Sequence, residues 1–258
     1  MGKYYPFFYD IVMTFKILDG PCCSFGKYIE MFRMIDSTWD IGIGILIVIF
    51  SSDFHELSHA WVAYRCGDDT AKSQGRLTLN PLAHICPFNS IILPALLYVT
   101  AGFFFGGAKP VEINPYRLKN PERDMALSAA AGPISNLILV IFAALLLLLL
   151  KPISGTPDLM LDLRLSHEYS LINRILVNVI LVNLLLGIFN MIPVPPLDGS
   201  RILRYFVPFL RDLYNHLDQI GLLLLLVLIQ IPGILDFIQT IILLSLGIVV
   251  FLHQTMPG

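Results

Sequence analysis

Charge is what this sequence has least of. Of 258 residues only 14% are Asp, Glu, Lys or Arg, against 56% hydrophobic. A soluble globular domain carries about 25% charged and about 45–50% apolar residues. Too little solvated surface remains for an ordinary soluble enzyme or a disordered chain. No basic block is present and the net charge is −2, so no nucleic-acid partner is expected. Cysteine is scarce too: Cys22 and Cys23 are adjacent, Cys66 and Cys86 stand apart, and no C-x-x-C occurs. That excludes a disulfide framework, a redox pair and a thiolate zinc finger. No secretory signal is expected, because Lys16 breaks the apolar stretch from Ile11 to Leu18.

Long apolar runs, by contrast, are abundant, and mean hydropathy is +0.73. They fall at Ile41–Tyr64, Phe88–Phe105, Met125–Leu150, Leu171–Ile192, Leu217–Ile231 and Gly233–Leu252. A helix needs about 20 residues to cross the bilayer core, which leaves the second and fifth doubtful as spans. The expected fold is an all-α polytopic membrane protein with about five to six transmembrane or re-entrant helices. Residues 1–40, aromatic-rich with scattered charges, read as an interfacial segment. Residues 214–258 read as a C-terminal helical hairpin around Pro232-Gly233. Two loops, at residues 76–81 and 109–115, alternate polar and apolar residues before a proline. They are expected to be strand-like, with ordinary surface loops as the alternative.

Within the first apolar run stands His55-Glu56-Leu57-Ser58-His59. On a helix, positions i and i+4 share a face, so both histidines can reach one metal ion, with Glu56 placed to take a proton from water on it. Two imidazoles and a carboxylate are costly inside a membrane, which makes a functional reading the default over a chance match. A catalytic zinc takes three protein ligands and leaves one position open. The strongest third candidate is Asp198, which follows Pro193-Val194-Pro195-Pro196-Leu197. Those prolines force extended chain near membrane depth, tolerated only if buried in protein or lining a wet cavity. The alternative is a helix-terminating turn with Asp198 as its cap. Asn136, Asn178 and Asn183 also lie in apolar runs. Packing between helices is the favoured reading for all three, with substrate binding the alternative for Asn136.

Together, H-E-L-S-H at 55–59, A-G-P-I-S-N at Ala131–Asn136 and F-N-x-x-P-x-P-P-L-D-G at Phe189–Gly199 resemble the site-2 protease family of intramembrane zinc metalloproteases. The resemblance spans about residues 41–213, which would form the metalloprotease core, and looks closest to compact bacterial-type members without PDZ or CBS domains. It implies one zinc per chain held by His55, His59 and Asp198, with Glu56 as general base. It also implies that Asn190 helps hold the substrate carbonyl or its oxyanion. Cys86 departs from the family, standing between Ile85 and Pro87 where an acidic residue is expected.

The implied activity is hydrolysis of peptide bonds within or near the transmembrane segments of membrane proteins. A transmembrane helix hides its own amides, so the substrate must unwind. Leu77, Thr78 and Leu79, or Val111 and Ile113, then offer an edge on which it can add as a strand. A shared depth for His55, His59 and Asp198 requires the helices carrying them to run in one direction. The segment at 88–105 is then expected to be re-entrant. This topology puts ten Lys and Arg on the active-site side against seven opposite. The site is therefore expected to face the cytosol, in a multi-pass protein of the cell membrane. The partners are the bilayer and a substrate with a transmembrane helix; oligomeric state is left open. A catalytically silent relative is disfavoured because Glu56 and all three ligands are present. A transporter is disfavoured because no internal repeat is visible.

Overall fold

The computed structural model describes residues 38–84, 109–150 and 171–231, with 233–234, 237–238, 240–242 and 244–245. Expectations for residues 1–37, for the segment at 88–105, for Cys86 and for most of the second arm of the C-terminal hairpin lie outside these. Residues 38–40, grouped above with the N-terminal segment, are already helical.

Helix α1, Thr38–Arg65, carries the H-E-L-S-H motif in its C-terminal half. Its 28 residues rise about 42 Å at about 1.5 Å each. It stops at Gly67, whose φ of +115° is one that side-chain-bearing residues rarely adopt. The amides of Cys66, Gly67 and Asp68 close this end onto the carbonyls of Val62, Tyr64 and Ala63. A single helical turn, α2 (Thr70–Ser73), follows. Helix α3, Pro121–Leu149, opens with Pro at its first position and Glu122 and Asp124 in its first turn, as the free N–H groups and dipole of a helix start favour. Helix α4, Leu171–Asn190, ends where the prolines at 193, 195 and 196 deny it backbone donors. Two short amphipathic helices, α5 (Asp198–Phe206) and α6 (Arg211–Gln219), lead to α7 (Gly221–Gln230).

Helix α3 lies at the centre, packed against α1, α4 and α5. Val140, Ala143 and Leu147 of α3 interlock with Leu176, Val177, Ile180 and Leu184 of α4, and Phe189, Leu197, Leu228, Ile238 and Ile242 complete this core. The outer face of α3 is equally apolar: Ile134, Leu137, Ile138, Ile141, Phe142 and Leu145 are exposed, while Ser128, Ser135 and Asn136 are buried. A helix that is greasy outside and polar inside is arranged for lipid rather than water.

Two described helices, α3 and α4, are long and apolar enough to cross a membrane. Helix α1 has the length but carries Asp53, His55, Glu56 and His59. The doubtful fifth run is broken at Gln219–Ile220, and its apolar part, α7, has ten residues. That is about 15 Å of rise against a bilayer core of about 30 Å. The described residues are all helix, turn and irregular chain, so the count of five to six membrane helices is not reached among them. The strand-like expectation for 76–81 and 109–115 is not met either, since no strand occurs among the described residues. The reason is that their backbone groups bond elsewhere. Arg76 N–H donates to the Ala71 carbonyl, and the Thr78 and Pro110 carbonyls accept from His84 and Arg76 side chains. Val111 N–H donates to Glu56 and Asn114 N–H to Asp68.

Candidate metal centre

His55 and His59 leave α1 on one face, their rings meeting edge to face with centroids 4.6 Å apart. Each is oriented by a partner on α3. His55 Nδ1 lies 2.8 Å from Asn136 Oδ1, and His59 Nδ1 lies 2.6 Å from the Ser128 carbonyl. A carbonyl oxygen can only accept, so both Nδ1 atoms carry a proton, and Nε2 of each neutral ring is the atom left to ligate. Both Nε2 atoms meet one oxygen: Asp198 Oδ2 stands 3.1 Å from His55 Nε2 and 3.3 Å from His59 Nε2. All three residues are buried, and their ligand atoms lie within 4.8 Å of one another. Two imidazoles and a carboxylate, each imidazole held from behind, form the donor set that a catalytic zinc takes, so these residues fit that ion.

Two glycines make the convergence possible. A Cβ on Gly132 would stand 2.5 Å from His55 Cε1 and Nε2 and from His59 Cε1, so α3 can pass the imidazoles only with no side chain there. A Cβ on Gly199 would collide with the Met191 carbonyl oxygen and stand 2.6 Å from that of Ile192. The start of α5 therefore sits flush on the end of α4, which carries Asp198 across to the histidines. The linking chain is held by Leu197 N–H donating to the Val194 carbonyl and by Tyr214 Oη donating to that of Pro193, 2.9 and 2.7 Å.

Glu56 is half-buried beside this set and accepts the Val111 N–H at 2.8 Å. Of the other candidates, Val111 is buried with Ala60 and Ala71, and Leu77 packs on that cluster. Thr78 Oγ1 accepts from Asn80 N–H, Leu79 is 65% exposed, and Ile113 is half-buried. The Asn190 amide donates to the Leu186 carbonyl of its own helix at 2.9 Å. Sequence reasoning missed Ser128, Gly132 and the partnership of Asn136 with His55. Gly132 and Asn136 are four apart, hence on one helix face, and that spacing was the available signal.

A buried His–His–Asp set with an adjacent glutamate defines the class: a metallohydrolase centre built between helices. The comparisons with known proteins narrow it. The pattern of Peptidase family M50 matches residues 153–229. The chain is 39% identical over 189 residues, 73% of its length and 80% of the relative's, to "Putative zinc metalloprotease YwhC" of Bacillus subtilis (strain 168). It is 30% identical over 199 residues, 75% and 70% of the two chains, to Rip2 of Mycolicibacterium smegmatis (strain ATCC 700084 / mc(2)155), which bears the same descriptive name. No solved structure matches. The chain belongs to Peptidase family M50, the site-2 protease family, and is a zinc metalloprotease of the membrane.

Proposed function

We propose that the chain is an intramembrane zinc endopeptidase that cuts membrane proteins within or near their transmembrane segments, with one zinc per chain on His55, His59 and Asp198. The observation that carries this reading is the pair of oriented imidazoles whose Nε2 atoms converge on the Asp198 carboxylate, buried beside Glu56. When bound, zinc polarises the scissile carbonyl and lowers the pKa of water toward about 7.

Glu56 acts as general base, taking the proton of the attacking water and returning it to the leaving amine. Val111 N–H aims its carboxylate. The substrate, unwound over the cut, lies along the irregular 109–113 chain, with Leu77, Thr78 and Leu79 flanking it, so that backbone groups freed from its helix find partners that lipid cannot offer. Asn190, released from Leu186, supplies a donor to the oxyanion. The protein is multi-pass in the cell membrane and its site faces the cytosol.

Glu56→Gln is the deciding variant: it should retain about one zinc per chain by elemental analysis and lose cleavage of a single-span test substrate by a factor of about a hundred or more. Cleavage at the wild-type rate would refute the general-base role, and absence of zinc from folded wild type would refute the centre.

A further inference from the structure

The peptidase reading uses only one side of the 109–113 chain. On another, Val111 and Ile113 line a cleft of about 380 Å³, with Arg201 and Arg204 of α5 and Arg211 of α6 also in its walls. That volume is within the range of ligand pockets, about 300–1,000 Å³. Two of the arginines are occupied. Arg204 holds Asp218 through both terminal nitrogens at 2.7 and 3.0 Å, and Arg211 holds Glu122 at 2.7 Å. Arg201, half-buried, has no carboxylate partner among the described residues. The cleft therefore sets three guanidiniums against two carboxylates, one of them free to bind. A guanidinium keeps its charge at any working pH and matches a carboxylate with two parallel bonds.

Position favours a polypeptide as the occupant. Val111, in one wall, bonds Glu56 through its N–H, and Arg201, in another, lies three residues beyond Asp198, about one helical turn. A chain seated in the cleft is thus continuous with a bond lying at the metal centre. The neighbouring Phe206 and Phe209 are 72% and 83% exposed on the amphipathic α5–α6 stretch. Apolar aromatic side chains on an amphipathic stretch are what a helix lying in the membrane–water boundary carries.

We propose that this cleft is a subsite for the extramembrane flank of the substrate, and that Arg201 binds a carboxylate side chain there, selecting substrates with Asp or Glu beside their transmembrane segment. The inference rests on the peptidase reading above. Its test uses the full chain with zinc and two single-span test polypeptides, identical except for Asp or Asn in the flank. Binding is measured on the Glu56→Gln variant and cleavage on the Glu56 form. The Asp polypeptide should bind about tenfold tighter, the worth of one charge-assisted pair. Arg201→Gln should erase that ratio and Arg201→Lys keep part of it, with zinc content unchanged in both. Equal binding of the two polypeptides, or a ratio that survives Arg201→Gln, overturns the subsite. Cleavage of both at one rate would sink the subsite alone, whereas an Arg201-dependent preference without cleavage would sink the peptidase reading alone. If Arg201→Gln instead removes only a dependence on phosphatidylglycerol in phosphatidylcholine vesicles, the cleft belongs to a lipid phosphate and the proposal fails.

Discussion

Gly132 is bare because both imidazoles of the metal centre occupy the place where its Cβ would stand. Gly132→Ala must push α3 off α1 or turn the rings, and either breaks a geometry that zinc tolerates only within a few tenths of an ångström. Asn136→Leu leaves the packing but frees His55 Nδ1, and loss of such an orienting partner costs about 10–100-fold in metal affinity. Both variants should therefore fold with unchanged helix content, the first without zinc and the second releasing it to a weaker chelator. Full zinc retention by Gly132→Ala would contradict the geometry. The sequence shows His55 and His59 plainly, because an i, i+4 pair depends on nothing but helix pitch. It does not separate Asn136 from Asn183, two asparagines in apolar helices. Asn183 bonds Ser51 across the α4–α1 contact at 2.9 Å, the packing role expected of it, while Asn136 bonds a metal-binding candidate. Only the partner across the interface distinguishes them.

At the scale of elements, the loops beside the centre carry more of the design than alternation of residues reveals. Asp68, 1% exposed, accepts Thr70 N–H at 3.0 Å and Asn114 N–H at 2.7 Å, tying the end of α1 to the chain that reaches Glu56. Asp68→Ala leaves two part-buried N–H donors without their carboxylate and should cost about 1–3 kcal/mol. The expected signature is local: limited proteolysis should cut first between residues 109 and 120, before the helices give way. A digestion pattern identical to that of the unaltered chain would show that Asp68 does not hold this loop. Alternation at 76–81 and 109–115 promised strands because a sheet-forming face and a loop pinned by side chains read alike. The deciding bonds come from Glu56, Arg76 and Asp68, up to 55 positions away in sequence.

For the whole molecule, the proposed orientation rests on α3, which is uncharged from Met125 onward and long and apolar enough to cross a membrane. With the four native cysteines replaced by serine, Leu150→Cys should react with a membrane-impermeant maleimide on intact cells. Asn120→Cys should react only after permeabilisation. The reverse pattern would place the site outside the cytosol, and equal labelling of both would mean that α3 does not cross.

Apolar content, the long runs of α3 and α4, the His–Glu–His spacing and the aspartate behind a proline-broken helix end are all local properties, set by composition, helix pitch and the missing donor of proline. Membrane character and the residues of the candidate metal centre were legible for that reason. What only the tertiary structure decided is relational. Which carbonyls orient the imidazoles, which glycine lets α3 close on them, and how Asp198 joins them are settled by helices meeting across 69 to 143 residues of chain. Packing, unlike pitch, is written in no single segment.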